Sequence, residues 1–215
     1  MQKSDLIIKS KIRVNKFGEV NTNKYIVNEM LSLLENEATN IESRFLEPAC
    51  GDGNFLSVIF QRKILFLKQK KSPQNKFEKN SILAASSLYG IDLILDNVQD
   101  SIERLTNIFS DIYSKLYKNK CNHKIISIIR YIFSLNIVRG DALHMKTLDG
   151  NNIVFPEWSF INSTMVKRRD FEYEEIVKTS LVDEIELIGN LSNENFIAKP
   201  IKDYKPIHYL SIDAL

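Results

Sequence analysis

The chain has 215 residues, of which 44% are hydrophobic and 26% charged, enough for one well-cored domain and too little for a second of ordinary size. Its 29 basic and 27 acidic residues leave a net charge of only +2, so composition alone does not declare a nucleic-acid partner. Cys50 and Cys121 exclude a disulfide framework and stand in no zinc-binding spacing, and the lysine-interrupted N-terminus is neither a signal peptide nor a membrane span; a soluble cytoplasmic protein without membrane contact is expected.

In chain order, residues 24–35 place Ile26, Val27, Met30, Leu33 and Leu34 near helical spacing behind Asn23, a candidate cap. The short apolar run Arg44-Phe45-Leu46-Glu47 then enters the turn Pro48-Ala49-Cys50-Gly51-Asp52-Gly53, and residues 54–60 read as helix. Residues 61–81, rich in lysine, read as a solvated helix end and loop inserted in the domain. A second strand, Leu88 to Asp92, ends in an acid and is followed by a long helix from Asp96 through Tyr117.

After a helix over residues 124–135, the run Asn136 to Arg139 leads to Gly140-Asp141-Ala142-Leu143, a third strand delivering an acid to a loop. Residues 152–155 suggest a fourth strand and residues 170–178 a helix. The alternation predicts an α/β, Rossmann-like fold: a mostly parallel sheet with helices on both faces. The expected organisation is an N-terminal arm and helix over 1–43, a ligand-binding core over 44–180, and a C-terminal extension over 181–215. Within that extension, Lys199 to Pro206 reads as an extended tail suited to partner docking.

In open parallel sheets, ligands settle outside the carboxyl ends of the strands, where three of these loops would meet. Glycines at 51 and 53 allow close backbone approach and positive φ. The segment Phe45 to Leu56 resembles the cofactor motif of the amino-methyltransferases of DNA, in which an acid, Pro-Ala-Cys-Gly-x-Gly and Phe follow one another. Upstream, Gly18-Glu19-Val20-Asn21-Thr22 resembles the Gly-Glu-Val-x-Thr-Pro segment of adenine-specific enzymes of restriction-modification systems, with Asn23 in place of the proline. Tyr89-Gly90-Ile91-Asp92 and Gly140-Asp141-Ala142-Leu143 resemble the second and third cofactor motifs, so the resemblance covers roughly residues 17–145.

The resemblance implies S-adenosyl-L-methionine as cofactor and adenine-N6 DNA methylation as activity. It assigns Glu47 to the methionyl end, the Gly51 to Gly53 backbone beneath it, Asp92 to the ribose hydroxyls, Asp141 to the adenine amino group, and Phe55 or Leu93 to the ring. Thr22, Pro48, Ala49 and Ala142 complete the implied pocket. Read one at a time, the acids are better taken as turn or cap residues and Phe55 as core; their order along the chain reverses that balance in favour of the pocket. Asp92 follows Gly53 by 39 residues, where about 20 is usual in compact nucleotide folds, and the lysine-rich insertion accounts for the excess.

The family holds its target base with Asn/Asp/Ser-Pro-Pro-aromatic after the fourth strand, and this chain contains no Pro-Pro pair. Phe155-Pro156-Glu157-Trp158 stands at about that place: Glu157 as acceptor and Trp158 as stacking surface are the catalytic candidates, against the alternative that both are packing or surface residues. Lys167-Arg168-Arg169 reads either as a phosphate contact or as a helix boundary with solvated charge. His123, His144 and His208 are too scattered to imply a metal. Three readings follow. One is a modification subunit that needs DNA and a partner supplying specificity or the catalyst; the second is a regulatory module that keeps the pocket without transferring a methyl group; the third is methylation of another substrate, since fold alone does not determine chemistry.

Overall fold

The computed structural model describes residues 22–178 and 198–215. Helix α1 (Lys24–Ser32) starts where the Asn23 side chain accepts from the Tyr25 amide at 2.8 Å, and it buries Val27 and Leu31. A short α2 (Glu35–Thr39) completes the segment read as one helix. The central strands are β1 (Phe45–Glu47), β2 (Leu88–Asp92) and β3 (Ile137–Asp141), paired in parallel in the order β1-β2-β3. A two-residue β4 (Lys146–Thr147) closes antiparallel on β3.

Each parallel crossover carries two helices. Between β1 and β2 run α3 (Asn54–Gln69) and α4 (Gln74–Ser86); between β2 and β3 run α5 (Leu95–Tyr117) and α6 (His123–Asn136). Much of residues 61–81 is therefore helical rather than a loop. Lysine is a good helix former, Pro73 stands at the start of α4, and Phe77, Ile82, Ala84 and Ala85 bury that helix.

Side chains alternate across β2. Leu88 joins the main core formed by α1, α3, α4, α5 and α6, whereas Tyr89 and Ile91 join a smaller cluster with Ile153, Phe155 and Tyr173. The two crossovers step in the same direction along the sheet, so right-handed connections put all four helices on one face. Covering both faces with crossover helices requires the strand order to reverse, and among the described strands it does not. The opposite face is covered by the smaller cluster and by the helical residues 173–178.

The fourth parallel strand expected near residue 154 is instead an antiparallel hairpin. β5 (Val154–Phe160) pairs along its length with β6 (Met165–Glu172), which also pairs with β7 (Lys202–Asp203) and β8 (Ile207–His208). Residues 170–172 thus belong to a strand and not to the helix read there. The tail around Lys199 to Pro206 contributes β7 to this second sheet, where Tyr204 donates to Asp170 Oδ2 at 3.1 Å. Residues 179–197 of the expected core and extension, and the Gly18 to Asn21 segment, lie outside the described residues. No helix among the described residues is long and apolar enough to cross a membrane.

Candidate functional site

The three strand-end loops meet around a cavity of about 590 Å³. Its first wall is the turn after β1. Gly51 (φ 53°) and Gly53 (φ 79°) both take the left-handed conformation that other residues adopt only with strain. A Cβ on Gly53 would lie 2.9 Å from Ser101 Cβ on α5, so glycine there also sets how closely α3 approaches α5. The turn is tied to β2 by Cys50 N donating to Ile91 O at 2.9 Å and Gly51 N donating to Asp92 Oδ2 at 3.0 Å.

Asp92 is the hub of the second wall. Its Oδ1 accepts from Ile94 N at 2.8 Å and from the Asn97 amide at 3.2 Å. Two carboxylate oxygens offer about four acceptor sites; three are used here, and one remains for a ligand donor. The third wall is the loop after β3. There Asp141 Oδ1 accepts from Leu143 N at 2.9 Å and His144 N at 3.1 Å, while Oδ2 meets His144 Nδ1 at 2.8 Å. The His144 side-chain contact, together with the amide bonds, holds the Asp141 carboxyl below the usual carboxylate range. Glu47, at the end of β1, behaves in the opposite way: burial pushes its carboxyl up, opposed by a weak bond from the Ala49 amide.

Thr22, Glu47, Pro48, Ala49, Gly51, Phe55, Asp92, Leu93, Asp141 and Ala142 all line this cavity. Gly53 does not; it sits behind the turn against Ser101 and shapes the wall from there. The sequence reading missed Met30, Asn54 and Asn97 as lining residues and His144 as the partner of Asp141. The Asn54 amide donates to the Thr22 carbonyl and fixes the chain just ahead of α1 over the cavity. Asp52 is drawn aside by Arg104 of α5 at 2.6 Å.

Glu157 and Trp158 do not line the cavity. Glu157 pairs with Arg44 and, at 2.5 Å, with Arg169, beside a second cavity of about 470 Å³ lined by Phe45, Leu46, Tyr89 and Phe155. Trp158 is 6% exposed and packs in the main core, with the Arg168 guanidinium 5.6 Å from its ring centre. The basic run is neither a helix boundary nor an array of unpaired charges: it lies in β6, with Lys167 on Asp203, Arg168 on Asp170 and Arg169 on Glu157.

Chemically, the cavity combines three carboxylates at strand ends with left-handed glycine backbone and apolar contact from Phe55, Leu93 and Met30. Such a donor-poor, acceptor-rich set suits a ligand that presents hydroxyl and amino hydrogens and a positive charge. Among the described residues no group of three or more His, Cys, Asp or Glu side chains is arranged to hold a metal ion. No family model, no curated protein and no solved structure matches the chain.

Proposed function

We propose that this chain binds S-adenosyl-L-methionine and forms the cofactor-holding part of an adenine-N6 DNA methyltransferase of the restriction-modification type. The observation that carries the reading is the convergence of residues from three separated motifs, Glu47, Asp92 and Asp141, on one cavity at the carboxyl ends of three adjacent parallel strands. In this reading Asp92 accepts from one ribose hydroxyl at its remaining acceptor site, Asp141 faces the adenine amino group, Glu47 faces the cationic methionyl end, and Phe55 or Leu93 contacts the ring. When bound, the cofactor supplies an electrophilic methyl group; the chain's own residues bind it and orient it.

Among the described residues, the cavity wall carries no Pro-Pro-aromatic segment to hold an adenine, and in this reading a partner subunit supplies it together with DNA specificity. One observation favours a second reading, a cofactor-binding regulatory module that transfers nothing. Glu157 is engaged by two arginines and Trp158 is packed in the core, so neither catalytic candidate reaches the cavity.

Calorimetric titration with S-adenosyl-L-methionine tests the cofactor assignment, and absence of binding by the intact chain, with and without DNA, rejects it. Asp92→Ala should weaken binding by about 10- to 100-fold through lost hydrogen bonds to a charged acceptor. Asp92→Asn keeps an oxygen for the Ile94 amide and separates that loss from collapse of the loop. Tritiated methyl transfer to unmethylated DNA, with candidate partner subunits present, decides between the two readings. Incorporation supports the modification subunit, and its absence despite cofactor binding supports the regulatory module.

A further inference from the structure

The end of the domain opposite the cavity carries a different chemistry. Helices α3 and α5 both start at the cavity rim and run away from it, over 16 and 23 residues. At 1.5 Å per residue they are about 24 and 34 Å long. Six exposed lysines gather where they end: Lys68, Lys70 and Lys71 around the end of α3, and Lys115, Lys118 and Lys120 around the end of α5. Among the described residues none of the six has a carboxylate partner within 4 Å. The whole chain carries only +2, so these six lysines stand against a net negative remainder of the sequence.

A partly buried polar network ties the two lysine-bearing segments to each other. The Gln74 amide, three residues after Lys71, donates to the Lys120 carbonyl at 2.8 Å, to Tyr113 Oη at 3.0 Å and to Glu78 Oε1 at 2.9 Å. Tyr113 Oη in turn donates to Glu78 and accepts from Asn122 N at 3.0 Å. The backbone adds a second sign of constraint. Among the described residues only Lys71 (φ 47°), Lys118 (φ 50°) and Met145 take positive φ without being glycine. Two lysines thus stand where glycine would be unstrained.

Helix polarity explains part of this pattern, since cations near helix C-termini are favourable. It covers Lys68 and Lys115 in the last turns and the C-cap residues Lys70 and Lys118, and leaves Lys71 and Lys120 beyond them. A membrane-binding surface would set large apolar side chains among the lysines. The exposed ones lie mostly elsewhere, on α1, around the cavity loops, on β1, and in the second sheet and C-terminal segment, with Leu65 in α3 the one nearest the lysines. Lysine point charges without arginine forks suit a run of phosphates read for charge rather than for sequence.

We propose that this lysine-bearing end is a docking surface for the phosphodiester backbone of double-stranded DNA. It stands apart from the acid-lined cavity and rests on charge and placement, not on the cofactor assignment. A duplex held there does not deliver a base to the cavity of the same chain; the surface anchors the protein.

The test is fluorescence anisotropy with labelled DNA and RNA duplexes of one sequence, titrated at several salt concentrations. Binding of the DNA duplex supports the proposal, and a clear preference for the RNA duplex overturns it. Replacing Lys70, Lys71, Lys118 and Lys120 together by glutamine should lower affinity at least tenfold, on the order expected for four lost phosphate contacts, and flatten the slope of log K against log salt by about 3. Arginine at the same four positions should restore both, and Lys202→Gln with Lys205→Gln should change neither. Unchanged affinity and slope in the quadruple glutamine variant overturn the proposal, as does failure of the intact chain to bind the DNA duplex at low salt. So does lysine-dependent binding to phosphatidylserine vesicles in preference to the DNA duplex. Cofactor titration of the quadruple variant, expected to match that of the intact chain, keeps this outcome separate from the fate of the cofactor assignment.

Discussion

The carboxylates of the cavity and those of the second sheet are satisfied in different ways. Apart from Asp52, which Arg104 neutralises, the cavity carboxylates Asp92 and Asp141 are held largely by backbone amides of their own loops, two to three residues ahead, helped by Gly51, Asn97 and His144. Glu157, Asp170 and Asp203 are held by Arg44, Arg169, Arg168 and Lys167. An amide fixes a carboxylate while leaving its charge uncompensated; a guanidinium cancels that charge as well. The first region therefore keeps a negative field for a cationic ligand, and the second behaves as scaffold.

The largest effect that would break this contrast is at the turn of the first region. Gly53→Ala combines positive φ with a collision against Ser101 and should cost about 3 kcal/mol of stability, from backbone strain and overpacking together. Denaturant titration measures it. Gly53→Ala with Ser101→Ala should recover the packing share and leave the conformational share. A loss well below 1 kcal/mol in the single variant would mean that the turn is not held in this geometry.

The amino ends of β1 and β2 provide the next test, because a lysine is buried there. Lys63 is fully buried, donates to Ser43 O at 2.5 Å and Ser87 Oγ at 2.6 Å, and has its ammonium pKa lowered to about 7 by burial. The folded value lies below the ordinary 10.5, so between those limits the unfolded chain binds the extra proton and stability rises with pH. The rise is on the order of a few kcal/mol, at about 1.4 kcal/mol per pKa unit. Thermal melts from neutral to alkaline pH should show it in the intact chain and a flatter profile in Lys63→Met. Parallel profiles would show that Lys63 stays charged in the fold.

Local signals explain why one region could be read from the sequence and the other could not. The apolar run into Glu47, the glycine turn and the helix after it lie within about a dozen residues. Their order fixed β1, α3 and the wall between them. Asp92 and Asp141 end short strands within one or two residues of where the pattern put them. The second sheet depends on pairing β5 with β6 and then with β7 and β8 from residues 202–208, and nothing local in Val154 to Phe160 announces those partners. The contact of Arg44 with Glu157 spans 113 residues and has no signature in either segment. His144 was visible three residues after Asp141, but its role depends on a loop turning back on itself, as the amide bonds to Asp141 Oδ1 show.

The smallest expected effect sharpens the contrast most, because it asks whether the two regions are independent. Glu157→Gln removes the charge that Arg44 and Arg169 share, yet both arginines are more than a third exposed and can turn to water. The cost in stability should then stay near 1 kcal/mol, as for solvent-accessible ion pairs. Affinity for S-adenosyl-L-methionine should not change, since Glu157 does not line the first cavity. Arg44 immediately precedes β1, which ends in Glu47, so a change that tilts the strand would reach the cofactor through Glu47. A fall in cofactor affinity with a near-normal melt would therefore show that the second sheet positions the cavity, and would replace the picture of scaffold and site with one coupled unit.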